Sequence, residues 1–292
     1  MLARQHANLG IAGYLTTTIA VSSIGFARPD WLSPELADVA ISLGSPTSLL
    51  ILGIIAGTFA LVPDFDEPGS TISRQFGKVS QFISSIFRVV AFGHRGLSHT
   101  IWFALVMGML GIWVQRIPGE WSWTIPAINV DAISLSVPEA TVVLSIARVW
   151  TSIILLVCAS VLLNLVIRGR GKTRRVRRIM ILLTLAVMMT SLTDIVPEYG
   201  VGWAMFSGIV WHCVGDQQTH SGNYFFWLPL IGPLQRIRIR FPWHFRTGSA
   251  VEESLVRPIL ILAALVAVAG SVFWSIYYVQ TLNPEWSVIA LG

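Results

Sequence analysis

The chain has 292 residues, of which 54% are hydrophobic and only 12% carry charged side chains. Soluble globular domains average about 25% charged residues, so this composition excludes an ordinary soluble domain and indicates an integral membrane protein. The net charge of +5 needs no nucleic-acid partner, because basic loops beside an anionic leaflet account for it.

The apolar residues fall in blocks of about 17 to 26 residues, the length that crosses a bilayer core. Arg4, the first block and the small residues near Ala27 also resemble a signal peptide, but the block is long and no clear cleavage site follows. We predict one all-α membrane domain, a polytopic helical bundle. Its seven spans lie at roughly 9–26, 45–62, 100–116, 141–167, 179–195, 201–217 and 256–280.

The basic residues predict the orientation. With a cytosolic N-terminus, all of the 20 Lys and Arg residues except Arg28, Arg116 and Arg148 fall on the cytosolic side, as the positive-inside rule requires. The basic segment 168–178 could contact RNA, but anionic lipid of the cytosolic leaflet is the simpler partner. We therefore expect membrane lipids, and no nucleic acid, as partners.

On this topology, histidines and aspartates collect beside four of the spans, always at the cytosolic end. Imidazole nitrogens and carboxylate oxygens are the ligands of zinc and similar divalent ions. Their convergence therefore predicts a metal site at the cytosolic surface. The residues concerned are His6, Asp64, Asp66, His94, His99, His212 and Asp216.

Each part of this set also has a plain structural interpretation. His212 and Asp216 lie one helical turn apart and can form an ion pair on their own. Asp64 and Asp66 can cap the segment that follows them, and His6 alone would be a solvated terminal histidine. The metal hypothesis therefore depends on all of them meeting at one membrane face.

The order of these motifs resembles the YdjM-type family of bacterial inner-membrane proteins, described as metal-dependent hydrolases. The resemblance covers about 1–115 and 201–260, so residues 117–200 look like an insertion that adds two membrane helices. The family usually has a histidine after PD-x-D, where this chain has Glu67. The matching motifs are an N-terminal histidine, "PDFD" (63–66), "HRGLSH" (94–99), "HCVGDQQTHSG" (212–222) and "RTGS" (246–249).

The family is distantly similar to zinc-dependent phospholipase C and P1 nuclease, which implies hydrolysis of a phosphoester such as a lipid phosphate. We expect one to three Zn²⁺ ions, with Mn²⁺ as the alternative, in the bacterial inner membrane and facing the cytosol. Glu253 is a further candidate ligand or orienting residue. Glu67 is the candidate general base, and Arg95 the candidate to hold the phosphate.

Other classes stay open. A transporter would place acidic residues near the bilayer midplane, often within inverted repeats, and the sequence has no such repeat. A metal-binding scaffold or sensor without turnover would have the same ligands but no exchangeable water. A serine hydrolase is disfavoured because the chain has no G-x-S-x-G motif.

Overall fold

The computed structural model confirms a helical membrane-type fold. It describes residues 3–125, 128–130, 135–137, 140–166, 179, 196–225, 238–242 and 244–282. The α-helices of this part are α1 (Ala3–Ala27), α2 (Pro34–Leu43), α3 (Pro46–Phe59), α4 (Lys78–Val90), α5 (Ile101–Gln115), α6 (Ile146–Val166), α7 (Gly200–Gln217) and α8 (Arg257–Leu282). Short 3-10 turns lie at Pro29–Trp31, Pro63–Asp66 and Leu97–His99, and a π-helical turn at Glu252–Val256 leads into α8.

A small β-structure follows α5. Strand β1 (Glu120–Ile125) pairs antiparallel with β4 (Ala140–Ser145), and β2 (Ile128–Val130) pairs antiparallel with β3 (Leu135–Val137). The sequence predicts that the fourth span begins at residue 141. The structure corrects this start, because Ala140–Ser145 pairs as a strand and the helix begins at Ile146.

Local sequence explains where several helices begin. Ser33 caps α2 and Ser45 caps α3 through their hydroxyl groups, and each is followed by a proline in the first turn. A serine cap satisfies a backbone N–H that the helix leaves free, and proline has no N–H to satisfy. Thr100 caps α5 in the same way, just after the HRGLSH segment.

Four helical segments in the described ranges are long and apolar enough to cross a membrane: Ala3–Ala27, Pro46–Asp66, Ile146–Leu165 and Glu252–Leu282. They correspond to the predicted first, second, fourth and seventh spans. The third, Ile101–Gln115, is a shorter apolar helix, and the sixth is the helix α7, which ends in polar residues. Apart from residue 179, the predicted fifth span lies outside the described residues. The seven-span count and the cytosolic N-terminus stay predictions.

Helices α1, α3 and α7 pack closely around a core that contains Tyr14, Leu52 and Ile55. Glycines permit the close approach. A Cβ atom at Gly208 of α7 would overlap the carbonyl oxygen of Ala56 in α3, so only a residue without a side chain fits there. Small residues at such contacts let helix backbones approach within a membrane. The three helices that carry or lead to most predicted ligands are thereby held together.

Candidate metal centre

The predicted histidine and aspartate ligands meet at one end of the bundle, where α1 and α5 begin and α3 and α7 end. The 3-10 turn after α3 supplies Asp64 and Asp66, and the segment before α5 supplies His94 and His99. The side chains form three overlapping groups whose ligand atoms lie within 4.8 Å of one another. The groups are His6, His212 and Asp216; Asp64, His99 and His212; and Asp66, His94 and His99.

Four ligand atoms form the centre of this cluster. Asp216 Oδ2 lies 3.4 Å from His99 Nε2 and 3.6 Å from His212 Nε2. Asp64 Oδ1 lies 3.8 and 3.9 Å from the same two nitrogens. These separations exceed those of hydrogen bonds. Four ligands at zinc–ligand distances of about 2.0–2.1 Å in a tetrahedron would be about 3.3–3.4 Å apart. The four nitrogen–oxygen separations are therefore close to those between ligands of one ion.

Several of these atoms are buried and have no hydrogen-bond partner. They are His99 Nε2, His212 Nε2 and Asp216 Oδ2, together with His6 Nδ1. An unsatisfied buried polar atom costs about 1–3 kcal/mol, so native proteins contain few of them. A divalent cation would satisfy the two nitrogens and the oxygen of the centre together. The donor set therefore fits a metal ion, and imidazole with carboxylate is typical of zinc.

Groups behind the two histidines fix which ring nitrogen faces the centre. His212 Nδ1 lies 2.7 Å from the backbone carbonyl oxygen of Ala60, so Nδ1 donates to it and Nε2 is left with its lone pair. His99 Nδ1 lies 3.1 Å from Ser98 Oγ, which itself donates to Asp66 Oδ2 at 2.6 Å. Such outer hydrogen bonds are typical of metal-ligating histidines, because they set the tautomer and the ring orientation.

Asp66 is fully buried and holds the HRGLSH segment in place. Its carboxylate accepts from the backbone N–H of Arg95 at 3.0 Å and from Ser98 Oγ, and its Oδ1 lies 2.6 Å from His94 Nδ1. Both of its oxygens are thus engaged outside the central four atoms. The sequence predicts Asp66 as a ligand, and the structure places it where it orients His94 and His99.

His6 adds a second layer on the α1 side. Its ring stacks on the His212 ring with centroids 3.9 Å apart, and its Nε2 lies 3.5 Å from Asp216 Oδ1. The same carboxylate oxygen accepts from Arg95 Nη2 at 3.1 Å. Asp216 therefore presents one oxygen to His6 and the other to His99 and His212, as a carboxylate that bridges two ions would.

Arg95 connects the HRGLSH segment to residues 216–222 through hydrogen bonds. Its guanidinium donates to Thr219 Oγ1 at 3.2 Å, to the carbonyl oxygen of Gly222 at 2.8 Å, and to Ser221 Oγ, besides its bond to Asp216. Most of its donors are therefore used inside the protein. The predicted phosphate contact would have to use the remaining N–H groups of its fork.

Burial disfavours a charge on His99, but the carboxylates of Asp64 and Asp66, with the charge of Asp216, outweigh burial and raise its pKa to about 9. The carboxylates therefore stabilise a positive charge at this position. Either a proton or a metal ion can supply that charge.

The structure does not bring Glu67 or Glu253 to the cluster. Glu67 is 38% exposed and pairs with Arg88 on α4 at 2.9 Å, and Glu253 is 46% exposed and pairs with Arg257 one turn later at 3.0 Å. Glu253 also lines a cavity of about 810 Å³ with Arg4, and none of the described cluster residues lines this cavity. The roles of Glu67 as general base and of Glu253 as additional ligand stay predictions, and both carboxylates pair with arginines outside the three groups.

Three groups without a predicted role support the cluster through hydrogen bonds: the Ser98 hydroxyl, the Ala60 carbonyl and Thr219. A backbone carbonyl leaves no trace in a sequence. Ser98 and Thr219 do occupy positions of the family pattern, which was the available signal. His220 and His244 lie outside the three groups of candidate ligands, and their rings lie against each other with centroids 5.0 Å apart.

The fold and the cluster define a class of protein: a multi-helix membrane protein with buried histidine and aspartate groups that could hold a metal ion. The chain matches the family model of the YdjM inner membrane protein over residues 1–283. It therefore belongs to the YdjM inner membrane protein family, as the motif order predicts, and the family name places it in the inner membrane. No curated protein and no solved structure matched the chain.

Proposed function

We propose that the chain is a membrane-embedded, metal-dependent hydrolase that acts on a phosphoester at the cytosolic face of the inner membrane. The observation that carries this proposal is the centre itself. His99 Nε2, His212 Nε2 and Asp216 Oδ2 are buried without hydrogen-bond partners, and each nitrogen lies at ligand spacing from the oxygen. A divalent ion held there supplies Lewis-acid activation of water and of a phosphate oxygen.

Unequal exposure around the centre favours catalysis over a purely structural site. His99, His212 and Asp216 are no more than 1% exposed, whereas the Asp64 side chain is 21% exposed. Solvent therefore reaches the centre beside Asp64, where water could join a bound ion as a fifth ligand. Catalytic zinc sites keep an open position for water or substrate, and structural sites are closed.

The residues of the chain have distinct parts in this proposal. His99, His212, Asp64 and Asp216 would hold the ion, and His6 would be a ligand if a second ion were bound beside Asp216. Asp66 and Ser98 orient His99, and the Ala60 carbonyl orients His212.

The position of the centre favours a lipid-linked substrate. The Pro63–Asp66 turn closes an apolar helical segment, and Leu97–His99 immediately precedes the apolar helix α5. The ends of apolar membrane helices lie near the headgroups of the bilayer. A phosphate at this depth is that of a lipid or of a lipid-linked phosphoester.

The metal can be tested by elemental analysis of the purified protein in detergent. We expect close to stoichiometric zinc or manganese in the unmodified chain and in the control His244→Ala, which changes an exposed histidine outside the cluster. His99→Ala and Asp216→Asn should lose the ion. Absence of metal from the unmodified chain, with all variants equally folded, would overturn the proposal and favour a transporter.

Hydrolysis needs a separate assay. Metal-loaded protein would be mixed with phospholipid and with water-soluble phosphomonoesters and phosphodiesters, and Asp64→Asn would serve as the inactive control. Turnover of the lipid by the unmodified chain alone is the expected result. Bound metal without turnover of any phosphoester would instead favour a metal-binding scaffold or sensor.

A further inference from the structure

Helix α4 buries polar residues and exposes apolar ones, which is the reverse of the usual arrangement. Its serines Ser80 and Ser84 are buried against the protein. A helix on the surface of a soluble protein buries its apolar stripe and exposes its polar face. The large apolar residues of α4 are instead exposed: Val79, Phe82, Ile83, Ile86, Val89 and Val90.

The helix divides into three sectors around its axis. Successive residues are about 100° apart, so the six exposed apolar residues occupy one continuous arc of roughly 120°. The next arc holds the polar side chains of Lys78, Gln81, Ser85 and Arg88, and the last arc holds Ser80, Ser84 and Phe87, which face the protein. Protein, water and an apolar phase would each meet one sector.

The sector that faces the protein is attached to the turn that carries the aspartates. Ser84 Oγ donates to the carbonyl oxygen of Phe65 at 2.5 Å, and Phe65 lies between Asp64 and Asp66. The Phe87 ring packs against Phe65 with centroids 5.8 Å apart. The position of α4 relative to a membrane would therefore also set the position of this turn.

We propose that α4 is an interfacial helix that lies along the lipid headgroups at the metal-bearing face, with its apolar arc in the acyl boundary. At about 1.5 Å per residue, its 13 residues extend about 20 Å, too short for a bilayer core of about 30 Å. Helices with one apolar arc and a basic polar face lie in the plane of the interface.

Two observations identify the occupant as lipid. The exposed apolar surface continues from α4 through Phe92 onto α5, where Trp102, Val106 and Met109 are also exposed. A membrane helix exposes such residues to lipid tails. Lys78, beside the apolar arc, suits the anionic headgroups of the cytosolic leaflet, whereas Arg88 lies at the far end of the polar arc and pairs with Glu67. This surface does not depend on the hydrolase activity proposed above.

The test places single probes around the helix in the full-length protein. Phe82→Cys, Val79→Cys and Ile86→Cys would each be labelled with the fluorophore NBD and reconstituted in liposomes that contain anionic lipid. Ser85→Cys, on the polar arc of the same helix, is the matched control. The native Cys158 and Cys213 are buried, and labelling of the unsubstituted chain measures their background. An unchanged melting temperature in detergent would check that each variant is folded.

We expect brominated lipid to quench the probes at 79, 82 and 86, with blue-shifted emission, and aqueous iodide to quench the probe at 85. Equal quenching of all four probes by iodide, with none by brominated lipid, would overturn the proposal. Protection of the apolar-arc probes from both quenchers would also overturn it, because a second copy of the chain would then cover the face. Neither outcome depends on hydrolysis, so a failed activity assay and a failed interfacial helix are distinguishable.

Discussion

Ser98 shows how the centre depends on residues that touch no ion. Its hydroxyl donates to Asp66 and accepts from the His99 ring, so it links a buried carboxylate to a ligand. Ser98→Ala should leave the ligands in place but let the His99 ring rotate. Loss of an outer-shell partner typically costs about 10- to 100-fold in metal affinity.

The affinity change of Ser98→Ala would be measured by competition with a metal chelator. Ser85→Ala, on the exposed side of α4, is the matched control and should bind metal as the unmodified chain does. Unchanged affinity in Ser98→Ala would mean that the His99 ring is oriented by packing alone.

The two glutamates provide a second test at this scale. Glu67→Gln and Glu253→Gln should both retain the full metal content, because each carboxylate pairs with an exposed arginine away from the cluster. Exposed ion pairs of this kind contribute about 0–1 kcal/mol, so stability should hardly change. Elemental analysis that found metal lost in either variant would place that glutamate among the ligands.

At the scale of elements, the packing of α7 against α3 sets the separation of the central ligands. His212 and Asp216 lie on α7, and Asp64 follows α3. Gly208→Ala would push a methyl group into the carbonyl oxygen of Ala56, and overpacking of this kind costs about 1–3 kcal/mol. We expect a lower melting temperature in detergent and weaker metal binding together.

Gly270→Ala on α8 is the control for that variant, since its Cβ atom would meet no described heavy atom within 4 Å. Alanine is the better helix former by about 1 kcal/mol, so this control should be neutral or slightly stabilising. If Gly208→Ala behaved like Gly270→Ala, the contact between α3 and α7 would not be what spaces the ligands.

At the scale of the whole molecule, the cluster joins segments from across the chain into one unit. A ligand that binds only the folded state stabilises it, by about 2.7 kcal/mol at a concentration of 100 times its Kd. Removal of metal by a chelator should therefore lower the melting temperature of the unmodified protein, and returning zinc should restore it. His99→Ala should melt at one temperature with and without chelator. A chelator effect of equal size in that variant would place the stabilising ion elsewhere.

Part of the site followed from the sequence because membrane topology restricts where residues can lie. Once apolar blocks define the helices, residues at adjacent helix ends must share a membrane face, so His6, Asp64, His99 and Asp216 could be placed together without any coordinates. Glu67 and Glu253 satisfy the same rule, yet neither belongs to the three groups of candidate ligands. Only the direction of each side chain, towards Arg88 and Arg257, separates them from the cluster.

Sequence patterns were enough to identify a membrane protein, its family and the residues that meet at one end of the bundle. Long apolar blocks must form helices in lipid, where every backbone polar group needs an internal partner. Packing in three dimensions decides which nitrogens and oxygens face one another. It places the Asp66 oxygens against His94 and Ser98 rather than among the four central ligand atoms, and it leaves the apolar face of α4 exposed. Ser84 of α4 faces the protein because its hydroxyl donates to the Phe65 carbonyl oxygen. Such partners lie far apart in the chain, and only packing brings them within hydrogen-bond distance.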